Sequence, residues 1–172
     1  MKSRFESLAA SGLRVEPISR AEATAAMDAF CRRFLEPVRA RVGTYRHRGH
    51  LWHAFTFGLM DPPSRKQAWS LFASRACEPL MIVPEVWKRD FVGVRITANQ
   101  EWPDLRETLL HQDCVVLPRS CDWGMCFDHE GCGPWFLEPP LPEDDDLDDL
   151  DGVEWDAAGQ PVTQTGRPPL TE

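Results

Sequence analysis

After Pro139 the chain stops supplying what a core is built from. From Pro134 onward it carries seven of its fifteen prolines, and residues 143–151 are almost entirely acidic. Such a stretch cannot bury enough apolar surface to offset the entropy of ordering it. The fold must therefore be built upstream, and the expectation is one globular domain over residues 1–140 with a largely disordered, Pro-rich acidic tail over 141–172. At 172 residues, 42% hydrophobic and 27% charged, the chain is rich enough for one such domain.

Charge divides the chain in the same way. Residues 1–119 hold 18 Lys/Arg against 13 Asp/Glu, whereas residues 120–172 hold one basic residue, Arg167, against 14 acids. The net charge is −8. Phosphate binding needs a basic surface that releases counterions, so the expectation is no nucleic-acid partner. No apolar run approaches the roughly 20 residues of a membrane-spanning helix, and the N-terminal MKSRFESLAASGLRVEP lacks the apolar stretch of a secretory signal. This predicts a cytoplasmic protein with no membrane partner. Its six cysteines then read as reduced thiols rather than a disulfide framework.

Local signals place the elements. Ser19 and Glu22 form a capping box, followed by apolar residues at Met27, Phe30, Cys31, Phe34, Leu35, Val38 and Val42, which is one buried helical face. Pro37 should kink that helix or start a second one. HLWHAFTF at 50–57 is short and aromatic and reads as a strand. Ser64 and Gln67 give a second capping box at the head of a helix over 64–76. Leu80–Val83, Phe91–Thr97 and Cys114–Leu117 read as strands, and 102–112 as a short helix. Asp122–Asp128 alternates like a half-buried strand, turning through a four-residue loop, Glu130–Gly133, into an edge strand at Pro134–Leu137. The class expected is α+β, a mainly antiparallel sheet with two or three packed helices.

Motifs for chemistry are sparse. Cys114, Cys121, Cys126, His129 and Cys132 cluster in sequence, but no C-x2-C pair brings two thiolates to one ion, so no metal is expected. His47, His50 and His53 are spaced three apart and would face opposite sides of a strand. His129-Glu130 opens like a metalloprotease helix, yet Gly133-Pro134 stands where the second histidine belongs. Cys126 with His129 could form a thiolate and its base. Neighbouring acids such as Asp128 and Glu130 are ordinarily just solvated, and no nucleotide-binding or nucleophile-elbow motif is present. The plainer reading is that His129 and Glu130 brace the last hairpin, with Gly131 and Gly133 supplying its backbone angles. No catalytic residue and no cofactor is assigned.

LWHAFTFG at 51–58, the following helix and CDWGMCFDHEGCGPWF at 121–136 resemble a family of small bacterial cytosolic proteins that carry a W-x-x-F element and end in a tryptophan-led strand, Thr-His-Glu and Gly-Pro-aromatic-Phe. Trp52 and Phe55 match the first motif, and Trp123, His129, Glu130, Gly133, Pro134, Trp135 and Phe136 the last. Asp128 stands where the pattern has threonine. Such proteins are similar to immunity proteins of polymorphic toxin systems. The resemblance implies a protein that binds and neutralises a cognate, basic toxin or effector by occlusion, an analogy of size, acidity and missing catalytic motifs. The contact residues expected are Asp144, Asp145, Asp146, Asp148, Asp149, Asp151 and Trp155 in the tail, with His129 and Glu130 on the hairpin. The alternatives are a small enzyme using His129 and Glu130, with or without Cys126, or a metal-stabilised regulator.

Overall fold

The computed structural model describes residues 13–42, 49–86, 92–97 and 105–139. The chain divides into two units, Met1–Pro139 and Pro140–Glu172, and every described residue belongs to the first. The proposed tail contacts from Asp144 to Asp151, and Trp155, lie outside the described residues, as does His47.

Among the described residues an antiparallel sheet of six strands forms the centre, built from β1 (Arg14–Pro17), β2 (Leu80–Pro84), β3 (Val94–Thr97), β4 (Cys114–Pro118), β5 (Gly124–Phe127) and β6 (Trp135–Leu137). Their order across the sheet is β1-β3-β2-β4-β5-β6. Among the described residues five helices accompany it: α1 (Arg20–Phe34), α2 (Glu36–Val42), α3 (His53–Thr56), α4 (Arg65–Ala73) and α5 (Arg106–Leu109), of which α3 and α5 are single turns. The expected α+β class is the observed one.

Alternation along the strands divides the core into two layers, because successive side chains leave a strand on opposite faces. Val83, Val115, Leu117, Cys126, Trp135 and Leu137 meet Phe30, Phe34 and Val38 of α1 and α2, together with Trp52 and Phe55. Leu80, Ile82, Ile96, Val116, Met125, Phe127 and Phe136 meet Ala68 and Phe72 of α4, Leu109 of α5 and Trp123. The sheet is thus covered on both sides. This corrects the half-buried expectation for β5, all four of whose residues are buried. Gly124 is what lets α1 close on that strand: a Cβ there would stand 2.8 Å from Phe30 Cε2 and 3.0 Å from Phe34 Cε2.

The capping box at Ser19 forms as its spacing predicts. The hydroxyl accepts from the Glu22 N–H at 3.2 Å, and the Glu22 carboxylate accepts from the Ser19 N–H at 2.9 Å. Pro37 splits rather than kinks the long helix, which stops at Phe34 and restarts at Glu36. The second box does not form, since Ser64 heads α4 without a side-chain cap. Its backbone is engaged instead with β6: Ser64 bridges Trp135, the Arg65 N–H donates to the Pro134 carbonyl and the Phe136 N–H to that of Pro63. The outer edge of β6 is thereby tied down.

Two further differences bear on the site. Residues 50–57 are not a strand but a helical turn containing α3. Leu51, Trp52, Ala54 and Phe55 are buried while Thr56 and Phe57 are exposed, a period nearer 3.6 than 2, so aromatic content was the wrong guide. The last hairpin joins β5 to β6 through residues 128–134 rather than a four-residue loop. Asp128 closes that longer loop by accepting from the Cys132 N–H at 3.0 Å and the Gly133 N–H at 2.6 Å. It is 3% exposed, so the solvated role expected for it is corrected to a buried loop-capping one.

Candidate functional site

Pairing between β4 and β5 assembles the site. Cys114 stands opposite Phe127, so the residues just beyond the ladder, Asp113 before β4 and His129 after β5, arrive side by side. Asp113 Oδ1 accepts from the His129 backbone N–H at 3.1 Å, and the imidazole Nδ1 lies 2.8 Å from Oδ1 and 3.0 Å from Oδ2. A carboxylate can only accept, so Nδ1 carries the proton and Nε2 is left to gain or lose one. The same Oδ1 accepts from the Trp52 indole N–H at 3.1 Å. One carboxylate therefore ties together the 50–57 turn, the start of β4 and the end of β5.

A second carboxylate works beside it. Glu85, which follows β2, is buried and accepts from the Leu51 N–H at 3.0 Å, while His50 Nδ1 lies 3.3 Å from its other oxygen. Its own N–H donates to the Asp113 carbonyl at 2.9 Å. The rings then meet: centroids of His50 and His129 are 5.7 Å apart, those of His50 and His53 5.4 Å, and Trp52 contacts all three imidazoles. Phe57 continues the ring surface from His53 at 5.3 Å. The strand assignment had set His50 and His53 on opposite sides; the helical turn puts them in contact. From below, His111 Nδ1 donates to the His129 carbonyl at 3.1 Å.

Electrostatics follow the geometry. The His129 pKa is raised from 6.5, first by its hydrogen bond to Asp113; desolvation opposes this, and the charges of Asp113, Glu130 and Asp128 add to the rise. Burial, then Asp113 and Glu85, pushes the Cys114 thiol far above its usual range. Cys126 is raised by burial first and by Glu85, Cys114 and Asp128 after it. A thiol so buried stays protonated, which opposes the thiolate role considered for Cys126. His129 and Glu130 are by contrast half-exposed, with His129 Nε2 4.0 Å from Glu130 Oε1.

Among the described residues, no group of three His, Cys, Asp or Glu side chains is placed to hold a metal ion. No described helix is long and apolar enough to cross a membrane. A cleft of about 680 Å³ lies elsewhere, where Ala26 of α1 faces Met81, Arg95 and Leu117 of the sheet, and no residue of the histidine cluster lines it.

Of the residues singled out from sequence, His129 and Glu130 share this corner, and Cys126 lies buried in the layer beneath α1. Asp113, Glu85 and the Trp52 indole were missed as functional groups. Nothing local marks Asp113, since its role exists only once β4 and β5 pair, whereas the spacing of His50 and His53 was a usable signal read on the wrong period. Comparison of the chain with protein-family models, curated proteins and solved structures finds no match.

Proposed function

We propose that this chain is an immunity-type protein of the bacterial cytoplasm that binds a cognate toxin or effector and neutralises it by occlusion. The observation that carries the reading is the corner itself. His129 and Glu130 face outward on a backbone held rigid from beneath by Asp113, Asp128 and His111. Phe57, one of the exposed large hydrophobic residues among those described, borders the same cluster beside His53. Rigid exposed aromatic and charged groups on a braced backbone make binding anchors, because little conformational freedom is lost on docking. The acidic run from Glu143 to Asp151 would add electrostatic attraction to a basic partner.

The enzyme reading rests on one specific observation, that Asp113 orients His129 as a carboxylate orients a catalytic base. Two measurements separate the readings. The full-length chain is used to capture partners from the native cell, and the activity of any stoichiometric partner is assayed with wild-type protein and with Glu130→Arg. Inhibition by the wild type and its loss in the variant supports neutralisation. A turnover by the purified chain that disappears in His129→Ala would replace it with catalysis.

A further inference from the structure

We infer that the cleft between the first half of α1 and the sheet binds a small amphipathic carboxylate, its apolar body over Met81 and Leu117 and its charged end on Arg119. No residue of the histidine corner lines this cleft, so the inference is independent of the function proposed above. Strand register builds the floor. Met81 stands opposite Arg95 of β3 on one side and Leu117 of β4 on the other, so the three side chains form a row on one face of the sheet. The helix above does not fill the space over that row. Its second half carries Phe30 and Phe34, which close on β5 at Gly124, whereas its first half lines the cleft with Ala25, Ala26 and Ala29. Side chains that end at Cβ leave the gap open, and Met81 stays half-buried although β2 lies between β3 and β4. The cleft measures about 680 Å³. Small-molecule sites are built this way, as clefts of about 300–1,000 Å³ with mainly apolar walls and a few polar groups at fixed places.

Charge at the rim decides what enters. Arg95 donates to Glu22 Oε1 at 2.7 Å, and the same carboxylate accepts from the Ser19 N–H and hydroxyl, so both charges at that end are answered within the protein. Arg119 lines the cleft just past β4, is exposed, and makes no ion pair with another described residue. The wall beside it has the same sign. Cys121 also lines the cleft; burial raises its thiol pKa, and Arg33 lowers it by more than Asp122 raises it. A guanidinium forks onto a carboxylate through two parallel hydrogen bonds. An aliphatic carboxylate therefore matches both the floor and the rim, whereas an alcohol of the same length uses the floor alone and an ammonium meets a like charge.

The test adds octanoate, 1-octanol and octylammonium in turn to the full-length chain and follows the methyl signals of Met81, Ala25, Ala26 and Ala29 by NMR. Octanoate should shift them saturably, with a dissociation constant on the order of 1 mM. Octanol should bind roughly two- to fivefold more weakly, the size of one exposed ion pair, and octylammonium more weakly still. Arg119→Gln should bring octanoate to the affinity of octanol and leave octanol unchanged. Ala25→Leu, at an exposed position, should fill the cleft and weaken both, with urea unfolding as the check that the fold is kept. No saturable shift, equal binding of all three probes, octanoate binding untouched by either substitution, or octanoate shifts centred on Phe57 and Val86 would each overturn the assignment.

Discussion

Removing the Asp113 carboxylate should loosen three segments at once. In Asp113→Ala the Trp52 indole N–H loses its acceptor while the ring stays 2% exposed, and a buried donor left unsatisfied costs about 1–3 kcal/mol. The two His129 donors lose theirs as well, but that residue is half-exposed and water replaces most of the contact, leaving under about 1 kcal/mol. The expected loss is roughly 2–3 kcal/mol, which for a chain of this length lowers Tm by about 5–10 °C. Asp113→Asn separates the effects, because its carbonyl still accepts from the indole while the charge is gone. It should cost about 1 kcal/mol and return the His129 pKa toward 6.5. The raised folded value means that the His129–Asp113 contact stabilises fully below the unfolded pKa and fades as pH rises through the folded one. Wild-type stability should therefore drift down over that window and the asparagine variant should not. Urea denaturation across pH, with the His129 ring followed by NMR, measures both. An alanine variant within about 0.5 kcal/mol of wild type, with an unmoved His129 titration, would refute the bracing role.

Other consequences are as direct. Gly124→Ala should destabilise by about 1–3 kcal/mol in urea unfolding, because its Cβ would press into the Phe30 and Phe34 rings, whereas a neutral result would mean that α1 can lift off the sheet. Under native conditions a thiol reagent should label Cys77, Cys121 and Cys132 well before the buried Cys31, Cys114 and Cys126, and rapid labelling of Cys126 would reverse the argument against a thiolate there. The Glu22 carboxyl is held down at about 2, first by the Ser19 backbone N–H, then by the Ser19 hydroxyl and by Arg95. Its contribution is present above its ordinary 4.5 and is lost as pH falls toward 2, so Ser19→Ala, which removes the hydroxyl and keeps the backbone N–H, should flatten the acid limb of stability in part, which acid titration followed by circular dichroism checks.

What was legible in the sequence is what neighbouring residues decide among themselves. The Ser19–Glu22 box, the stop at Pro37, the apolar runs of β2 and β4 and the tryptophan-led β5 each declare themselves within a few positions, because capping, proline geometry and strand alternation act over one turn or a few residues of strand. The elements misread or left unassigned are those whose partners lie far along the chain. Arg14–Pro17 becomes β1 through pairing with β3, and nothing in RVEP requires it. HLWHAFTF has the aromatic composition of a strand, yet Glu85 and Asp113 capture Leu51 and Trp52 and the segment coils into a turn with a buried face. The same reason governs the site. His129 and Glu130 could be picked out as a pair by eye, but the carboxylate that orients the histidine lies 16 residues earlier and the rings that flank it more than 70 earlier. The sequence by itself determined that the chain is α+β. Only the tertiary structure decided which side chains share the corner, because β4–β5 pairing and the helical turn are long-range contacts that no local pattern encodes.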